Sequence, residues 1–162
     1  MAASRIILLA QSIAAGLQAK ADGGTPFSLP VVAAFAFVPQ HDPAELKVPT
    51  LSVVARSRTS EVADRSLAED QRLLVDIGIQ KKLTGGGGTK DEVEELMALV
   101  EEISTFIRDL DVSAVGWGGD LAWIGTANDP IYSAEHLQKG VFTSVLTVTY
   151  RGFSETRAGG GG

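Results

Sequence analysis

The sequence predicts an α+β fold: a mainly antiparallel sheet of about four strands flanked by two main helices, in the order α-β-β-β-α-β. Three observations carry this prediction. Two stretches, one near the start and one past the middle, repeat apolar residues at helical spacing. The run RLLVDIGIQKKL alternates with a period of two. The strand-like runs are grouped, not interleaved one for one with helices, which suits a sandwich with both helices on one side of a sheet. The 162 residues are enough for one domain with a core of useful size. That domain is taken as 1–157, and the glycine-rich tail 158–162 is expected to be disordered.

The first helix is read over about Ala3–Ala21, where Ile6, Leu9, Ile13 and Leu17 form one stripe, and it stops at Asp22-Gly23-Gly24. Arg5 and Ala19-Lys20-Ala21 resemble the flanks of a signal peptide. The apolar run between them is broken by Gln11 and Ser12, so a packed helix is the better reading. No stretch is long and apolar enough to span a membrane. The continuous run VVAAFAFV between Pro30 and Pro39 reads as a strand buried on both faces. After the connector PQHDPAELKVP comes TLSVVARS, a second strand. The charged stretch Ser57–Gln71 reads as a long loop.

In the third strand Leu73, Val75, Ile77 and Ile79 share one face, and Leu74, Asp76, Gly78 and Gln80 the other. Asp76 therefore needs solvent, a partner subunit, or an arginine such as Arg56 or Arg151. In the second helix Val93, Leu96, Met97, Val100, Ile103, Ile107 and Leu110 recur at helical spacing. Thr89 and Glu92 match a capping box, and Asp91, Glu92, Glu94 and Glu95 suit the positive end of the helix dipole. Asp111–Gly140 reads as irregular, with a short helix through SAEHLQK. The last strand is GVFTSVLTVTYRGF. There Phe142, Leu146, Val148 and Tyr150 oppose Val141, Val145 and a ladder of Thr143, Thr147 and Thr149.

Gly85–Gly88 invite a phosphate-loop reading, which the neighbouring residues oppose. A Walker loop needs Gly-Lys-Ser/Thr, whereas here Thr89 precedes Lys90 and Asp91 follows it. The place of the last glycine in GxGxxG falls on Lys90 or Asp91, and the carboxylates at the helix start would repel a phosphate. The glycines are read as a slack joint. His41 and His136 lack the spacing of zinc ligands, and no GxSxG elbow occurs. Asp64, Glu69 and Asp70 read as a solvated charge run. With no cysteine there is no disulfide and no thiolate site. No catalytic, cofactor-binding or metal residue is assigned, and no enzyme activity is expected. The net charge of −6 argues against a binder that neutralises nucleic-acid phosphates, though not against a wall past which DNA slides.

The segment IYSAEHLQKGVFTSVLTVTYRGF resembles the carboxy-terminal part of tail terminator (tail completion) proteins of long-tailed bacteriophages. SRIILLAQSIAAGL is similar to their opening helix, FVPQHDPAEL to the polar connector after their first strand, and LLVDIGIQKKL to a later strand. The likeness follows element order over most of Ser4–Phe153, and the GGGG run and the GWGGD segment depart from it. It implies a sheet flanked by helices, no catalysis and no cofactor. It also implies a six-fold homo-oligomeric ring that caps the tail tube, ends tube polymerisation and joins the head connector. Its partners would be the tube protein and the connector proteins, with DNA passing through unbound. It would be made in the host cytoplasm and end in the virion, at the head-proximal end of the tail. The contact residues expected are Arg58, Asp64, Arg65, Trp117 and Trp123, the tryptophans being read either as packing groups or as interface anchors. The competing reading is a small non-enzymatic α+β protein-binding module.

Overall fold

A computed structural model describes residues 4–37, 46–62, 68–84, 89–112 and 121–155. Eight elements follow in order: α1 (Arg5–Asp22), β1 (Val32–Phe35), β2 (Thr50–Val62), β3 (Ala68–Lys82), α2 (Lys90–Asp109), β4 (Leu121–Ala127), α3 (Ala134–Gln138) and β5 (Val141–Glu155). The α+β class holds, but the sheet has five strands and is mixed, in the order β1-β2-β3-β5-β4. β1 runs parallel to β2, and the remaining pairs are antiparallel. Among the described residues there are three helices, the two long ones and the short helix expected through SAEHLQK.

β3 is the central strand because its alternation gives it a fully apolar face. Leu73, Val75, Ile77 and Ile79 are completely buried. Cross-strand pairing sets Leu51 and Val53 of β2 and Leu146, Val148 and Tyr150 of β5 on that same face. α1 lies over β1, β2 and β3 through Leu9, Ile13 and Leu17. α2 lies over β4 and β5, and its buried residues are Leu96, Leu99, Val100, Ile103 and Ile107. All of these side chains belong to one core cluster, so both long helices cover one face of the sheet.

The helix ends follow from their capping residues. Thr89 accepts a hydrogen bond from the Glu92 N–H at 3.1 Å, which satisfies one of the free donors of the first turn of α2. The reciprocal half of the expected capping box is not made. The Glu92 carboxylate turns to β3 instead, accepting from Lys81 Nζ at 2.7 Å and from the Thr84 N–H and hydroxyl at 3.2 Å. Gly140 joins α3 to β5 with φ of 82°, a left-handed conformation that glycine adopts without a steric cost.

Three expectations need correcting. VVAAFAFV is not buried on both faces. Its strand is only Val32–Phe35, at a sheet edge, and Phe37 is 76% exposed. α1 packs beside this edge, and no described strand lies beyond it. Ser57–Gln71 is not a long loop. β2 continues to Val62 and β3 begins at Ala68, and the two stay paired from Arg58–Leu73 to Val62–Glu69. The sequence there is polar because the end of β2 is exposed on both faces and has no core to follow. Asp111–Gly140 is not irregular throughout, since it holds β4 as well as α3. β4 lacks a clean period of two because its register shifts between Trp123 and Gly125.

Tyr150 is the one polar misfit of the core face. Its ring is fully buried, and among the described residues its hydroxyl has no hydrogen-bond partner. Burial pushes that hydroxyl's pKa strongly upward, so it stays protonated. An unsatisfied buried hydroxyl costs about 1–3 kcal/mol, and phenylalanine would keep the ring without it. Tyr150→Phe is expected to raise stability by about 1 kcal/mol, or about 2–4 °C in Tm, in a thermal melt. A loss of more than about 1 kcal/mol would show that the hydroxyl is satisfied after all.

Candidate assembly surface

Past the bulge between Ala55 and Ser57, β2, β3 and β5 stay paired to their ends, with β4 alongside β5 as far as Gly152, and beyond the buried Leu73–Tyr150 pair these ends form an arm. Arg56–Val62 is exposed throughout. Two ion pairs lie on the sheet face away from the helices, one at the bulge and one within the arm. Arg56 Nη1 lies 3.3 Å from Asp76 Oδ1, which also accepts from Thr147 Oγ1 at 2.7 Å. The pairing expected for Asp76 is thus made with Arg56. Arg151 instead grips Asp70 with two bonds, Nε to Oδ1 at 3.0 Å and Nη2 to Oδ2 at 2.8 Å. The hydrogen bond from Arg151 holds the Asp70 carboxyl below the usual carboxylate range, with Arg72 adding to the pull, and the Arg151 guanidinium is raised in return.

The structure brings two of the five expected contact residues into one row. Arg58 is paired with Leu73, Leu73 with Tyr150, and Tyr150 with Trp123. Arg58 and Trp123 therefore sit on the same sheet face, three strand steps apart, roughly 14 Å. Arg58 is exposed at the base of the arm. Trp123 is half-buried against the core and donates from Nε1 to Thr126 Oγ1 at 3.0 Å. Asp64, Arg65 and Trp117 lie outside the described residues, as do His41, Gly85–Gly88 and the tail 158–162.

Among the described residues no three carboxylate or histidine groups converge on a metal position. His136 caps no site. Its Nδ1 meets Thr143 Oγ1 at 2.9 Å on the sheet. A cleft of about 390 Å³ opens at the start of α2, between Leu29, Pro30, Val48 and Pro49 on one side and Lys81, Glu92 and Glu95 on the other. Its main anion is its own. Burial alone would raise the Glu92 carboxyl, but Lys81 and Thr84 outweigh it and hold the group below the usual range. Lys81 and the Thr84 N–H are thereby already engaged by a carboxylate. No protein-family model matches the chain, and no curated protein matches it by sequence.

The residues that sequence reading missed are those of the two sheet edges, Val32, Phe37, Ile124 and Ile131. Each is a large apolar side chain left exposed. The bracketing of VVAAFAFV by prolines was the available signal, because proline cannot complete a central ladder and favours edges. For Ile124 the short, glycine-interrupted strand left no periodic signal, and Ile131 lies in the bends after it. No helix in the described residues is long and apolar enough to cross a membrane.

Proposed function

We propose that this chain is a structural protein of a long-tailed bacteriophage. It assembles as a homo-oligomeric ring, of six copies, that caps the head-proximal end of the tail tube, ends tube polymerisation and offers the surface that joins the head connector. The observation that carries the reading is the arm. The paired ends of β2, β3 and β5 extend past the buried Leu73–Tyr150 pair with Arg56–Val62 exposed, a form suited to contact with another protein and not to enclosing a substrate. The resemblance to tail terminator proteins supplies the partner class: tube protein on one side and connector proteins on the other. DNA passes through without specific binding, which suits a chain of net charge −6. No enzymatic step and no cofactor enter this role, and its place is the virion.

Arg58→Glu tests the arm. The side chain is exposed and makes no ion pair among the described residues, so the melting temperature of the isolated chain should stay within what surface changes allow, about 0.5 kcal/mol. Phage carrying the variant should show tails of irregular length or heads lacking tails by electron microscopy. Particles with normal tails after depletion of this product, together with a purified chain of single-copy mass at every concentration, would refute the proposal in favour of a small protein-binding module.

A further inference from the structure

β2 has a free edge beyond the end of β1. β1 pairs with β2 only from Val32–Thr50 to Phe35–Val53, and the last bond between them runs from the Ala36 N–H to the Val53 carbonyl at 3.0 Å. From there β2 continues to Val62 with β3 on one side and no described strand on the other. The ladder fixes which backbone groups face outward. Val53 turns to β1, so its partner Ile77 turns to β5, and Leu74, Arg72 and Asp70 of β3 turn to β2. Their partners beyond the bulge are Ser57, Thr59 and Glu61. Arg58, Ser60 and Val62 therefore point their N–H and C=O groups out of the sheet edge, where no backbone group among the described residues meets them.

The other two edges of the sheet are blunted. On β1 the Ala33 N–H is taken by Gln18 Oε1 of α1 at 2.9 Å. On β4 the register shift after Trp123 breaks the ladder. From Ser57 to Val62 the β2 edge carries no proline, no lysine and no further shift. A row of this kind takes an extended strand, whose own N–H and C=O groups complete the ladder. Pro39 and Pro43, which follow Phe37 in the sequence, have no N–H to give to such a ladder.

The edge is complementary to itself. Phe37 (76%) and Val62 (67%) are the two most exposed large apolar side chains among the described residues. They stand at its two ends, Phe37 just past the last bond to β1 and Val62 at the end of β2. Both lie on the helix face of the sheet. Val62 alternates with Arg58, which is paired with the buried Leu73, and the Phe37 ring meets that of Phe35, which packs on the core. A two-fold axis through Ser60, perpendicular to the sheet, lays a second β2 antiparallel to the first. It sets Ser60 against Ser60 and Arg58 against Val62 in both directions, and each such pair exchanges two backbone bonds, about six in all. Glu61 then faces Thr59, so no like charges are opposed. Val62 of each copy enters the lane of the other's β1 and approaches Phe37, so each apolar end covers the other.

We infer that a second copy of this chain docks on this edge, joining the β2 strands of two copies antiparallel about a two-fold axis at Ser60. This stands apart from the ring reading, because a two-fold contact closes at two copies whereas a six-fold ring needs two different surfaces. The pair is a form of the free chain. The arm it covers is the one proposed for the tube or the connector, so pairing and tail contact exclude each other.

The test is sedimentation of the full chain as its concentration is raised, with a melting curve for each variant. The wild type should pass from one-copy to two-copy mass. Ser60→Pro removes the N–H at the axis without removing a ladder bond of the single chain, since proline is tolerated where an edge strand turns its N–H outward. It should weaken pairing about tenfold or more at an unchanged melting temperature. Phe37→Ser should weaken pairing by a route that leaves the ladder intact. The chain has no cysteine, so Ser60→Cys reads the register directly. Mild oxidation should link two copies through it, while Ala98→Cys, on the exposed face of α2, should not link. That readout decides the matter if Ser60→Pro fails to fold. A single-copy mass for the wild type at every concentration, a pair indifferent to Ser60→Pro, or Ser60→Cys that links no better than Ala98→Cys overturns the inference. A six-copy ring that Ser60→Pro leaves intact also overturns it, and the ring reading stands. A pair with these sensitivities, beside normal tails after depletion of the product, upholds the edge contact and removes the tail reading.

Discussion

Replacing Ile103 with alanine lowers the stability of the fold by about 2–5 kcal/mol, the cost of emptying a large buried site. Ile103 is completely buried in the middle of α2 and belongs to the cluster that joins both helices to the sheet. Its neighbours on the helix stripe, Leu99, Val100 and Ile107, are held by their own contacts with the sheet layer and can collapse only in part into the space left. Against a total stability of about 5–15 kcal/mol this is a large fraction. Urea unfolding should show a lower midpoint with an unchanged slope. A change below about 1 kcal/mol would place Ile103 at a site that closes up on truncation.

Glu92→Ala is the second large effect. The carboxylate is mostly buried and ties the start of α2 to the end of β3 through Lys81 and Thr84. Alanine leaves the Lys81 ammonium, itself largely buried, without its partner and the Thr84 N–H without an acceptor. A loss of about 2–3 kcal/mol is expected, less than for a fully buried pair because both groups keep some solvent. The same pair sets a pH dependence. The Glu92 carboxyl titrates lower in the folded chain than in the unfolded one, so on acidification the unfolded chain takes up the proton first. The stabilisation is complete above the ordinary glutamate range, near pH 4, and is lost as the pH falls through the folded value. Wild type should lose stability between about pH 5 and 3 more steeply than Glu92→Gln does. Parallel curves for the two proteins would show that other carboxylates carry the acid sensitivity.

Legibility in the sequence tracked burial. β3, β5 and the stripe of α2 could be read because each has one face in the core, and a single buried face writes its period into the residues. The Thr89 cap was legible for the same local reason: its hydrogen bond spans three residues. The arm was not legible, since strands exposed on both sides carry no alternation, and polar, charged residues there look the same as a loop. β1 misled in the opposite direction. Its continuous apolar run matches a central strand, and nothing in it reveals that the outer neighbour is a glutamine from α1 and not another strand. Of the candidate contact residues, Arg58 was read as a loop residue and lies instead in the exposed end of β2. Trp123 was placed in a segment whose strand character a register shift conceals.

The parallel attachment of β1 has a kinetic side. β2, β3 and β5 are tied by long antiparallel ladders, whereas β1 adds a ladder of only four residue pairs and is otherwise held by α1. A short outer strand of this kind can detach while the remaining sheet stays whole, at a free energy well below that of global unfolding. Amide protons of Ala34 and Ala36, which point into the β1–β2 ladder, should exchange with deuterium far sooner than those of Val75 and Ile77. They should also slow on assembly if a neighbouring copy holds the strand in place. The thin edge of the monomer would then be the part of the molecule that gains most from having neighbours.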